Sequence, residues 1–221
     1  MTLATAYTEK DTYLDSANPH SDFDALWYMA IGKGAGGKGA AIARPLFRFD
    51  LAAYGVPAGS VVNWAKLYLW VQDSSTPYLP LACNFWRCIR ADWQGEDSEY
   101  ADWIHYQHNA ALSWTVAGGD YLAPSIDFII PDASLVGTFQ VFSGAQVNAF
   151  VQDAITSRNR LVNIVGRLLD ENPATPQIAS WRTRNSTFGS PPGSDWPYLE
   201  VDYTGPAVAA PYIKPTKLLQ P

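Results

Sequence analysis

Alternation of apolar and polar residues with period two constrains this chain more than any other feature. In Pro45–Leu51, Phe47, Phe49 and Leu51 share one face, and Arg48 and Asp50 take the other. Leu67, Leu69 and Val71 share a face within Ala65–Val71, and Leu199, Val201 and Tyr203 alternate with Glu200 and Asp202. Successive strand side chains project to opposite faces, so this pattern specifies strands with one buried side. Ser125–Ile130 and Arg160–Leu169 also read as strands. Turn formers separate these segments, as in Val56-Pro57-Ala58-Gly59 and Gly118-Gly119-Asp120. Many short strands between turns predict an all-β fold, a jelly-roll β-sandwich. One segment departs from the pattern. Val147, Phe150, Val151, Ala154 and Ile155 recur at helical spacing, which predicts one short helix over residues 145–155.

With 221 residues, 48% of them hydrophobic, the chain can bury a core as one domain without staples. Only 16% are charged, against roughly 25% in ordinary globular chains, which suits a surface partly covered by neighbours. A net charge of −6 and the lack of a basic cluster argue against nucleic acid and anionic membrane as partners. No apolar run approaches the roughly 20 residues that span a bilayer. The first residues lack the basic start and apolar stretch of a secretion signal. The expected location is therefore a cytoplasm, or a route out of it such as virion assembly. Cys83 and Cys88 stand an odd number of positions apart, which puts them on opposite faces of one strand and predicts free thiols. Residues 205–221 carry Pro206, Pro211, Pro215 and Pro221 and no acidic residue. Proline at that density excludes helix and central strand. The domain is therefore expected over 1–204. The segment after it is either a disordered terminus or an extended arm that docks on a neighbour through Tyr212, Ile213, Leu218 and Leu219.

Several clusters invite a chemical reading. Gly32–Gly39 nearly forms a phosphate-binding loop, but Gly39 stands where a hydroxyl should follow the lysine, so an inter-strand loop is expected. Asp102, His105 and His108 are spaced three apart. No fourth ligand with recognised spacing lies nearby, so surface or partly buried histidines are expected rather than a transition-metal site. Asp92, Glu96, Asp97, Glu99 and Asp102 form an acidic run that would suit calcium, or the paired carboxylates of glycoside hydrolysis, but reads first as a solvated loop. Asp11, Asp15 and Asn18 are a second possible calcium cluster, and no other cofactor is expected. Trp181, Arg182, Arg184 and Asn185, with Trp196, combine an apolar ring face with hydrogen-bonding groups, the pairing a sugar ring needs.

An ordered set of motifs resembles the DNRLRE domain family, which is similar to polysaccharide-binding modules. The set runs from Asp11-Thr12-Tyr13-Leu14-Asp15-Ser16-Ala17-Asn18-Pro19, through Arg44–Leu51, Val56–Val62 and Ala65–Leu69, to Trp93–Trp103 and Trp114 with Gly118-Gly119-Asp120-Tyr121. It closes with Ser180–Asn185 and Pro197–Tyr203, covering residues 5–204. The resemblance implies a jelly-roll sandwich without catalysis. Such domains are appended to secreted proteins that act on polysaccharides, or occur in tailed-phage structural proteins. The family's Ser-Arg-Glu motif stands here as Ser180-Trp181-Arg182-Thr183-Arg184, without the glutamate. The expectation is a virion structural protein, a capsid decoration or tail appendage that joins capsid or tail subunits and copies of itself. The alternative is a soluble, extracellular polysaccharide-binding module that recognises cell-surface glycan. A polysaccharide-active enzyme is the third reading.

Overall fold

The computed structural model describes residues 1–34, 41–74, 81–93, 95–96, 99–130, 135–173, 177–186 and 194–206. In chain order the elements are β1 (Thr2–Tyr7), β2 (Lys10–Asp15), β3 (Tyr28–Lys33), β4 (Ile42–Asp50), β5 (Val61–Ser74), β6 (Leu81–Cys88), β7 (Gly95–Glu96), β8 (Glu99–Tyr100), β9 (His105–Gln107), β10 (Leu112–Ser113), β11 (Tyr121–Ile130), β12 (Phe139–Ser143), α1 (Ala145–Ser157), β13 (Leu161–Leu168), β14 (Gln177–Arg182) and β15 (Tyr198–Thr204). The described residues are mostly β with one helix, as the alternation and the single helical stripe specify.

Eleven strands form one antiparallel sheet in the order β1-β15-β5-β14-β3-β4-β13-β6-β11, with β12 on β5 and β2 on β4. The sheet curls into a half-barrel. Strand β5 makes this possible: its body pairs with β15 on one side and β12 on the other, and its last residues pair with β14. The inner face holds the main core, where Phe47, Phe49, Leu51, Leu67, Leu69, Val71, Leu199 and Val201 pack together. These are the residues that the alternation assigns to buried faces. Helix α1 adds Val147, Phe150, Val151, Ala154 and Ile155 to that core. It starts at Gly144 without a side-chain cap and has no acidic residue in its first turn, so burial of its stripe holds it in place. Its polar face also serves the sheet: Gln152 Oε1 accepts from the Val62 amide at 2.9 Å and Asn148 Oδ1 from the Ala65 amide at 2.8 Å.

A second core lies on the other side of the β2–β4–β13 region. There Leu14, Leu46 and Val165 meet Cys88, Trp93, Ala101, Tyr106 and Trp114. Cys83 belongs to the inner core and Cys88 to the outer one, both free and buried, as their spacing on β6 requires. The described residues of the 89–120 stretch therefore form a lobe over the outer face. The lobe also covers Arg48, on the face of β4 opposite Phe47 and Phe49. Arg48 is buried, grips both carboxylate oxygens of Glu9 at 2.8 Å, donates to Ala91 O, and lies over the Trp93 ring. Among the described residues, no helix is long and apolar enough to cross a membrane.

Candidate functional site

The lobe brings together what sequence spacing leaves apart. Asp102 precedes the β9–β10 hairpin, His105 opens β9 and His108 follows it. The Asp102 side chain is fully buried. Its Oδ1 accepts from the backbone amides of Ile104 at 2.7 Å and His105 at 2.6 Å, which fixes the turn into the hairpin. Its Oδ2 faces three imidazoles, with Nδ1 of His108 at 2.6 Å, of His105 at 3.0 Å and of His20 at 3.7 Å. One ligand atom from each of the four residues lies within 4.8 Å of all the others. Burial alone would raise the Asp102 pKa. Hydrogen bonds from His105, His108 and the Ile104 amide outweigh it and hold the carboxyl below its ordinary value.

His20 arrives from the loop between β2 and β3. Asp15 shapes that loop, with Oδ1 accepting from the Ala17 amide at 2.8 Å and Oδ2 from Asn18 Nδ2 at 2.6 Å. Tyr100 ties the two segments together: its ring stacks on His108 at 4.5 Å and its hydroxyl donates to His20 O at 3.1 Å. Only the fold brings His20 to the hairpin, and no local spacing rule reports such a neighbour.

A second feature covers the outer face of β1, β15, β5 and β12. Tyr7, Tyr198, Tyr68 and Val141 stand opposite one another, one per strand, with Trp70 paired to Phe139 beside them. The Tyr68 and Tyr198 rings stack at 4.3 Å, and Phe139 meets Trp70 edge-on at 5.1 Å. Trp196 closes one end against Tyr7. Tyr7 and Val141 are exposed, the other rings half-buried. Glu200 accepts the Tyr68 hydroxyl at 2.7 Å, and the Arg182 guanidinium lies 5.7 Å from the Trp70 ring centre.

A scan of the chain against protein-family models finds no match, and a search of curated proteins finds none.

The expected sugar site disperses. Trp181 is fully buried among Phe85 and Phe128, with Nε1 toward Gln140, so it offers no face to a ligand. Alternation along β14 is the reason: Trp181 points in and Arg182 points out. Arg182 pairs with Asp195 and donates to Gln72 at 2.7 Å. Arg184 donates to Glu9 O, and Asn185 to Asp24 O, so both brace loops. Trp196 sits at the aromatic face, with Nε1 donating to Ser186 O at 3.0 Å.

The expected calcium cluster is also corrected. Asp11 and Asp15 share β2 four positions apart, roughly 13 Å at strand rise, so one ion cannot bridge them. Asp11 Oδ2 accepts from the Arg184 amide at 2.9 Å, while Asp15 and Asn18 bond each other. Tyr212, Ile213, Leu218 and Leu219 lie outside the described residues, as do residues 35–40 of the glycine loop and Asp97 of the acidic run.

Proposed function

We propose that this chain is a non-catalytic structural protein of a tailed-phage virion, a capsid decoration or tail appendage subunit. Its strands would be connected as in the jelly-roll sandwiches of the DNRLRE family it resembles. The aromatic face across β1, β15, β5 and β12 carries this reading. A contiguous, partly exposed apolar patch marks a contact surface, and Tyr, Trp and Phe are the residues that protein interfaces favour. An antiparallel sheet presents these rings in fixed positions, so little side-chain freedom is lost on docking. The low charged fraction of 16% supports a surface covered by neighbours. Capsid or tail subunits and copies of this chain are the partners, with residues 205–221 as a second attachment. In a Tyr7→Ser/Tyr198→Ser variant, the melting temperature should hold and occupancy on assembled particles should fall. Normal occupancy would overturn the reading.

One observation favours a polysaccharide-binding module instead. Glu200 and Arg182 flank the rings of this face, so hydrogen-bonding groups border apolar platforms as a sugar requires. A glycan panel separates the two. Binding that is lost in the same variant, with no change in particle occupancy, selects the module and an extracellular location.

A further inference from the structure

The geometry points to a transition-metal site made by His20, Asp102, His105 and His108, with Zn²⁺ as the fitting ion and a bracing role for it. This goes beyond the proposed function and does not depend on it. The ligand chemistry comes first. Three imidazole nitrogens and one carboxylate oxygen form a set that zinc takes in tetrahedral geometry, whereas calcium and magnesium need six or more oxygens. Ligands about 2.0–2.2 Å from a tetrahedral zinc lie roughly 3.4 Å from one another. The three carboxylate–imidazole distances, 2.6, 3.0 and 3.7 Å, bracket that spacing.

Hydrogen-bond capacity gives a second argument. A carboxylate oxygen has two lone pairs, and Oδ1 of Asp102 already accepts two backbone amides. Oδ2 takes up His105 and His108, with Nδ1 at 3.0 and 2.6 Å, while His20 Nδ1 stands at 3.7 Å, beyond hydrogen-bond reach of it yet close to the spacing of two ligands on one zinc. A central cation would engage His20 as well as the other two, with all three rings turning lone pairs inward. The surroundings hold the set in place as an outer shell does around a metal: the two amides on Oδ1, and the Tyr100 ring on His108. Four protein ligands leave no open position, which is the pattern of a structural site. The ion joins the β2–β3 loop to the lobe over the outer face, a link between segments distant in sequence, so it stabilises the folded chain over the open one.

The test uses the full chain without an affinity tag, stripped with a chelator and titrated with Zn²⁺, Co²⁺ and Ca²⁺. One equivalent of zinc should bind, and cobalt should give the intense visible absorption of a tetrahedral complex. Zinc at about 100 times its Kd should raise the melting temperature by about 5 °C or more. Amide exchange should slow in residues 16–27 and 99–120 on adding zinc. His20→Ala and His108→Ala should each weaken zinc binding by about 100-fold. The His20 side chain is 61% exposed, so its loss does not threaten folding. Absent stoichiometric zinc binding, unchanged affinity in both variants, or equal binding of calcium would each overturn the site. The cluster would then be a carboxylate held by imidazole hydrogen bonds.

Discussion

Asp11 shows how one residue sets a pH response. Burial raises its pKa from 3.8 to about 6, against the opposing Arg184 amide and Thr8 hydroxyl. The folded chain therefore holds a proton that the unfolded chain releases between about pH 4 and pH 6. Its contribution to stability is greatest below that window, falls as pH rises through it, and is flat above. Asp11→Asn keeps a neutral group and an acceptor for the Arg184 amide. The variant should gain on the native chain by about 2–3 kcal/mol between pH 4 and pH 8, read from urea midpoints at each pH. No gain would mean that Asp11 ionises freely in the fold. Trp181 gives a second prediction. Emptying its place in the inner core, Trp181→Ala, should cost about 3–5 kcal/mol in urea unfolding, as a core truncation and not as loss of a ligand contact. The separation of Trp181 from Arg182 is legible in the sequence. Adjacent residues on a strand face opposite ways, so Trp181 and Arg182 could not both meet one sugar. The place of His20 is not legible there, because a side chain supplied by a distant loop leaves no trace in local spacing.

At the scale of elements, the lobe of residues 89–120 is the least legible part of the chain and the part that builds the histidine cluster. Strand β4 reads as half-buried because Arg48 and Asp50 stand on the face opposite Phe47 and Phe49, yet Arg48 is satisfied internally, by Glu9 and by Ala91 O of the lobe. Ionic clamps fasten the lobe and its surroundings. Arg44 grips both oxygens of Glu171 at 2.7 and 2.8 Å, donates to Gly118 O at 2.7 Å, and packs 4.8 Å from the Trp103 ring centre. Arg167 reaches the same carboxylate at 2.7 Å. Burial would raise the Glu171 pKa, and the two arginines outweigh it and lower it. Gly118 sits at φ +86, where a Cβ would stand 2.5 Å from Arg44 Nη1 and 2.8 Å from the Trp103 ring. Gly118→Ala should therefore cost about 1–3 kcal/mol through strain and displacement of the arginine. Amide exchange locates the effect. Protection should fall across 99–120 while β5 and β15 keep theirs, because a local clamp opens a local unit. A uniform loss over the sheet would show that lobe and sheet unfold together.

Among the described residues the molecule is built on a curled sheet, and the last strand in the chain lies inside it. β15 pairs with β1 on one side and with β5 on the other, its register ending at Thr204 opposite Val61. The Tyr203 hydroxyl also donates to Gly55 O at 3.3 Å, fastening the end of the strand to the turn after β4. The last described strand is thus paired on both sides before residue 205. This part of the plan was visible in the sequence, since alternation ends at Tyr203 and proline spacing begins at Pro206. Long-range pairing order was not, because period two specifies faces and says nothing of neighbours. If residues 205–221 act between molecules, deleting them leaves the sheet of each molecule intact. The truncated chain should melt within about 2 °C of the full one, since changes away from buried structure shift stability little. The same deletion should abolish incorporation into particles. A large fall in melting temperature would assign the segment to the fold itself, and normal incorporation would leave the aromatic sheet face as the sole attachment surface.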